Sequence, residues 1–169
     1  MAGRTDIFDL GPLHLASGEG RRLELETGFD ALALGGQRYA LVRDRVPVVL
    51  DVARTTSGWA LRLRFDARLV GPCMRCLEPA ERTWTIDARE VDQPGGGDDL
   101  TSPYVDGDEL DLSAWARDAL ALDLSGQVLC RDDCAGLCPA CGENLNERPH
   151  EHERATDPRW AKLSELKLK

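Results

Sequence analysis

From Val46 onward the chain is written in alternation. "VPVVLDVAR" (46–54) is an apolar, β-branched run closed by the turn signal "TTSG", and it predicts a strand. In "WALRLRFDARLV" (59–70), Trp59, Leu61, Leu63, Phe65, Ala67 and Leu69 alternate with Ala60, Arg62, Arg64, Asp66, Arg68 and Val70. Such a period of two predicts a strand with one buried and one solvated face. The alternation resumes in "RTWTIDAREV" (82–91), with Trp84, Ile86 and Ala88 on one side. Two amphipathic strands joined by the eleven-residue "GPCMRCLEPAE" predict an antiparallel pair whose long loop stands off the sheet.

Elsewhere the pattern changes. The first 36 residues are weakly patterned; "RRLELE" reads as a short strand, and Gly35-Gly36 punctuates its end. Residues 92–109 form a Gly/Pro/Asp-rich connector without a core pattern, expected to be mobile. In "LDLSAWARDALALDL", Leu112, Trp115, Ala119 and Leu122 lie on one helical stripe. Asp111 or Ser113 is placed to cap that helix and Gly126 to end it. A closing helix is predicted in "TDPRWAKLSELKLK", with Asp157 as N-cap, Pro158 at the first position, and Trp160, Leu163 and Leu166 along one side.

Charge changes this picture by its location. The net charge is −9, yet residues 87–123 alone hold eleven Asp/Glu against two Arg. The remainder is neutral. That distribution argues against a whole-surface RNA-binding footprint and leaves room for a local basic patch. No apolar run approaches the ~20 residues needed to span a bilayer, and the N-terminus does not read as a secretory signal. A cytoplasmic protein without membrane contact is expected, in which clustered thiols hold metal more often than they form disulfides.

Those thiols stand in "CMRC" (73–76) and "CRDDCAGLCPACGENLNERPHEH" (130–152). A CxxC on a tight turn brings two sulfurs to one tetrahedral cation, and zinc takes four Cys or His ligands. Cys138 and Cys141 in "CPACG", with His150 and His152 downstream, make a complete set and are the first choice for one zinc. Cys73, Cys76, Cys130 and Cys134 are again four and form the second choice, for a second zinc. Mixed pairings, such as Cys73 and Cys76 with Cys138 and Cys141, stay open. A thiol redox couple, or a sensor built on one, is the weaker reading, since no helix N-terminus is at hand to activate a cysteine.

No P-loop, dinucleotide turn or nucleophile elbow is present, so the expectation is a protein that is not an enzyme. One functional surface remains. The solvated face of the 59–70 strand presents Arg62, Arg64 and Arg68, with Arg82 and Arg89 available from the next strand. Such a ladder meets RNA phosphates or an acidic protein, unless it is consumed by Asp66, Asp87 and the acidic connector.

The order of "CMRCLEP", "DGDELDLSAWARDALALDL", "LCRDDCAGLCPACGENLN" and "DPRWAKLSEL" resembles the YceD family, the large ribosomal RNA subunit accumulation proteins of bacteria and plastids, over about residues 40–169. The resemblance implies a role in making or stabilising large-subunit ribosomal RNA without a known catalytic activity. Relatives are often encoded beside a large-subunit ribosomal protein. Cysteine-rich relatives end this segment with C-x-C where this chain has His150-Glu151-His152, a change that keeps zinc ligands and rules out a disulfide there.

The expectation is therefore an α+β protein: an antiparallel β-sheet from about 40 to 91, one or two helices, and a zinc-stapled, Cys/His-rich C-terminal segment. Residues 1–36 form an N-terminal segment, 37–125 an α+β core with the CxxC hairpin loop and acidic connector, and 126–169 a Cys/His-rich tail with the closing helix. The function expected is a non-enzymatic ribosome-biogenesis factor for large-subunit ribosomal RNA. Its partners are ribosomal RNA or large-subunit assembly intermediates. The alternative is a zinc-stabilised adaptor for a basic partner such as a ribosomal protein.

Overall fold

The computed structural model describes residues 6–97, 100–124 and 126–152. Nine strands and one helix follow in order: β1 (Ile7–Asp9), β2 (Gly20–Thr27), β3 (Leu32–Leu34), β4 (Gln37–Leu41), β5 (Val46–Arg54), β6 (Trp59–Pro72), β7 (Pro79–Asp92), β8 (Val105–Asp106), β9 (Glu109–Asp111) and α1 (Leu112–Asp123). The architecture is the expected α+β one, mostly antiparallel sheet with a single α-helix, and one short 3-10 turn at Gly11–Leu13, among the described residues. Closing-helix residues Asp157, Pro158, Trp160, Leu163 and Leu166 lie outside the described residues.

β6 organises the main sheet. Its first half lies between β5 and β7, in registers such as Leu50↔Leu63 and Leu63↔Ala88. Its far end exchanges β5 for β4, through Ala40↔Val70 and Leu41↔Leu69. Alternation is kept throughout: Trp59, Leu61, Leu63, Phe65, Ala67 and Leu69 are all buried. Each such leucine contributes about 1.5–3 kcal/mol relative to an exposed one. Gly71 is required by packing, because a Cβ there would lie 2.3 Å from the ring of Tyr39, which is fully buried and bonds the Pro72 carbonyl.

Three expectations about the sheet and its connections are corrected. The sheet begins well before residue 40, because β2 pairs with β5 over its whole length and Leu23 meets Leu50. Its alternation, "RLELE", is short and charge-rich, so only the neighbour reveals which side is buried. The hairpin loop is shorter than eleven residues: pairing runs to Pro72↔Pro79, leaving only residues 73–78 as the tip. The connector is also partly ordered. Asp92 and Ser102 are buried and joined by a Ser102 N–H to Asp92 carboxylate bond of 3.1 Å, and Tyr104 stacks on Trp115.

Asp111 caps α1, its carboxylate accepting from the Ala114 N–H at 2.9 Å. Ser113 turns inward instead and donates to the Gly28 carbonyl at 2.6 Å. The buried side of α1 is Leu112, Trp115, Ala116, Ala119 and Leu120, whereas Leu122 is 84% exposed. The helix stripe is thus rotated from the predicted one, toward Ala116 and Leu120. No helix among the described residues is long and apolar enough to cross a membrane.

Candidate metal centres

Two copies of one turn hold the CxxC pairs. At the hairpin tip the Leu77 N–H donates to the Cys73 carbonyl at 3.0 Å, and the Cys73 N–H donates to the Glu78 carbonyl at 2.7 Å. In the tail the Gly142 N–H donates to the Cys138 carbonyl, and the Cys138 N–H to the Glu143 carbonyl, both at 2.8 Å. Each turn needs a left-handed residue after its second cysteine, and Leu77 (φ 65°) and Gly142 (φ 75°) fill that place. The geometry gathers the thiols and aims amide N–H groups at them.

The tail then returns onto the tip. Met74 N–H bonds the Val128 carbonyl at 2.8 Å and Leu137 N–H bonds the Arg75 carbonyl at 3.1 Å. The Arg75 guanidinium crosses the junction, reaching Gln127 at 2.9 Å and the Cys134 carbonyl at 3.0 Å. These contacts bring Cys130 and Cys134 to Cys73 and Cys76. The four sulfurs lie within 4.8 Å of one another, with Cys73–Cys134 at 3.7 Å and Cys76–Cys130 at 3.6 Å. A tetrahedral ion with sulfur ligands at ~2.3 Å sets sulfurs about 3.8 Å apart. This set could hold a metal ion, and three of its cysteines are buried.

The second set is Cys138, Cys141, His150 and His152, also within 4.8 Å. Cys141 Sγ stands 3.1 Å from His150 Nε2, while His150 Nδ1 lies 2.8 Å from the Arg148 carbonyl. A proton on Nδ1 finds its acceptor there, which leaves the Nε2 lone pair for the cluster. The mixed pairing of the two CxxC turns does not occur; each turn takes its partners from a different stretch of the tail.

The local field suits a cation. Burial would raise the Cys73 thiol, but the amides of Cys76, Arg75 and Cys130 bring it down to about 6. The Cys141 amide, against some desolvation and with help from that of Ala140, brings Cys138 to about 6. Cys76 is pushed up to about 12 by burial and by the neighbouring thiols. Crowded thiols cannot all ionise unless a positive ion joins them.

Sequence reasoning missed Asn146. Its amide donates to Cys134 Sγ at 3.4 Å and to Asn144 Oδ1 at 2.8 Å. Its carbonyl accepts from Arg131 at 2.7 Å and from the Ala135 N–H at 2.8 Å. It thereby holds the loop between the two centres. The signal was the repeated Asn in "ENLN", directly after the second turn.

The arginine ladder is divided. Arg62, Arg64, Arg68 and Arg89 share the outer face of the sheet, where one rank runs Arg22–Asp51–Arg62–Arg89 across four strands. Arg62 grips Asp87 with two bonds of 2.7 and 2.6 Å, and Arg64 and Arg22 both reach Asp51 at 2.7 Å. Arg68 pairs with Glu81, and Arg89 lies 3.9 Å from Asp87. Arg82 stands opposite Leu69 on the other face and pairs with Asp132 of the tail. Asp66, expected to neutralise an arginine, accepts from the Thr85 hydroxyl at 2.7 Å.

Comparison with known proteins adds the lineage. Residues 61–167 match the family described as large ribosomal RNA subunit accumulation protein YceD. An uncharacterised protein of Mycobacterium tuberculosis is 39% identical over 124 residues, covering 69% of this chain and 59% of its own. A Mycobacterium leprae protein is 29% identical over 174 residues, covering 95% of this chain and 76% of its own. The chloroplastic large ribosomal RNA subunit accumulation protein YCED homolog 1 of Zea mays is 30% identical over 181 residues, covering 86% of this chain and 60% of its own. This chain thus spans less than two thirds of the length of the M. tuberculosis relative. No solved structure matches it.

Proposed function

The chain belongs to the large ribosomal RNA subunit accumulation protein (YceD) family, and on that premise we propose that it is a non-enzymatic factor supporting the synthesis, processing or stability of large-subunit ribosomal RNA. The observation that carries this reading is the match over 61–167, which takes in all six cysteines and both clustered histidines. The two Cys/His sets that could hold metal ions therefore sit inside the matched stretch.

Zinc is the ion proposed for both centres. Thiolate and imidazole donors at tetrahedral spacing favour it, and four filled positions leave none open for a substrate. Bound there, zinc supplies no chemistry beyond cross-linking. The residues do the rest: Arg75 and Asn146 position the two strands of the junction, and the turn amides hold the thiolates.

A second reading is a metal-stabilised adaptor for a basic partner such as a ribosomal protein. It is favoured by the carboxylate already beside each of Arg62, Arg64, Arg68, Arg82 and Arg89. An RNA phosphate would have to displace those partners. The test is binding of large-subunit ribosomal RNA fragments across a salt series, for the wild type and for Arg62→Ala/Arg64→Ala/Arg68→Ala. Direct contact predicts a steep salt slope that becomes shallower by about three phosphate contacts in the triple variant. An unchanged slope removes the arginine face from the account, and absence of RNA binding leaves the adaptor reading.

A further inference from the structure

Leu77 and Gly142 hold the same place in two equivalent turns, yet only one is the residue that place favours. Glycine adopts a left-handed backbone without cost, whereas a Cβ makes it unfavourable. Leu77 accepts that cost at φ 65° and then leaves its side chain 56% exposed. Neither the turn nor the core explains it: the turn is built equally well by Gly142, and Leu77 buries little. Strain kept where the fold does not need it points to use.

The surroundings say what use. Beside Leu77 the outer face of the hairpin end is a shallow apolar groove of 450 Å³, lined by Val70, Pro72, Pro79 and Ala80 with Glu81 at its rim. The strands are pinned next to the Pro72↔Pro79 pair by the Cys73 N–H to Glu78 carbonyl bond, so the groove is preformed. Glu78, next to Leu77, is exposed. The metal-bearing end of the molecule, residues 72–81 and 127–152, carries seven Asp/Glu against three Arg. The thiolates of Cys73, Cys76, Cys130 and Cys134, the inner centre, would stay net negative around one divalent ion as well. An anionic nucleic acid is disfavoured on such a surface, and a cationic polypeptide is favoured.

We infer that the hairpin tip around Leu77 is a docking surface for a basic protein segment that carries an apolar anchor residue. The anchor packs against Leu77 in the groove, and flanking Lys or Arg side chains meet the exposed Glu78, while Glu81 at the rim is already paired with Arg68. The metal centre behind the tip holds this surface rigid, so little order has to be gained on binding. The inference rests on the adaptor reading above and supplies its site.

The test uses the full metal-loaded chain and overlapping peptides tiling the basic large-subunit ribosomal proteins, with affinities measured by fluorescence anisotropy. Leu77→Gly is the decisive variant, because it makes the inner turn like the outer one. The expected result is unchanged metal content and an undiminished melting temperature, with peptide affinity weakened about tenfold, the worth of one buried leucine. Glu78→Lys is expected to weaken the same peptides in a salt-dependent way. If Leu77→Gly binds as the wild type does, the tip is not the site, while the adaptor reading stands. If the wild type binds no basic peptide, both fall. Metal loss in Leu77→Gly would make Leu77 a structural residue, and a wild-type dimer abolished by that variant would make the occupant a second copy; either overturns the inference.

Discussion

The sulfurs of Cys73 and Cys134 stand 3.7 Å apart across 61 residues of chain. That closure joins the hairpin tip to the tail, and an ion shared by the inner four thiols would fasten it. Ion binding in small zinc peptides is worth ~10–16 kcal/mol of apparent folding free energy. Cys134→Ser is therefore expected to lose one metal equivalent and to free the tail. Hydrogen exchange should show amide protection lost around Met74 and Leu137 and kept in β5 and the first half of β6, whose ladder does not involve the tail. Uniform loss of protection would mean that the tail holds the whole sheet together.

The outer centre is predicted to be separable. His150→Ala/His152→Ala removes two ligands of the second set but none of the contacts from Met74, Arg75 or Leu137 that dock the tail. Native mass spectrometry should show one ion fewer than in the wild type, with the inner ion retained. Loss of both ions would show that the centres form one cooperative unit. A metal-free wild type would overturn the zinc proposal.

Ser113 ties the helix to the segment before β3. Its hydroxyl donates 2.6 Å to the Gly28 carbonyl in the interior. Ser113→Ala leaves that carbonyl without this donor, and the expected loss is about 1–3 kcal/mol in urea denaturation. A change within ~0.5 kcal/mol, the range of ordinary surface substitutions, would mean that solvent replaces the hydroxyl.

The outer-face ion pairs give the fold an acid limit. The Arg22 guanidinium, aided by Arg64, holds the Asp51 carboxyl below the usual carboxylate range, and Arg62 does the same for Asp87. A lowered folded value means the stabilisation is complete above the unfolded value, near pH 4, and is lost as the pH falls through the folded value. The melting temperature should therefore fall more steeply below about pH 4 for the wild type than for Asp51→Asn. Parallel curves would show that solvent screening leaves the pair without net effect.

Much of this was legible in the sequence because it is local. Alternation at i and i+2 marked β6 and β7, since a strand sends successive side chains to opposite faces, and an apolar, β-branched run closed by a turn marked β5. Asp111 or Ser113 marked the start of α1, because a cap acts on an amide three residues away, and the structure gives that role to Asp111. The CxxC spacings marked two ligand turns and suggested a grouping of their partners, but mixed pairings stayed open until the fold set Cys130 and Cys134 beside Cys73 and Cys76. Family resemblance rested on those same short motifs.

Only the tertiary structure decided which partners distant residues find. Leu23 and Leu25 read as fragments of a charged run until Leu50 and Val48 were seen opposite them. Arg64 had Asp66 and Asp87 nearby in sequence or on the next strand, yet its carboxylate is Asp51, one strand over on the other side. Leu77 reads as an ordinary apolar residue in "CMRCLEP", and its left-handed backbone and exposure follow from a turn closed by Cys73 and Glu78. Periodicity records which way a side chain points. What it meets there depends on how the chain closes, and that is a property of the whole fold.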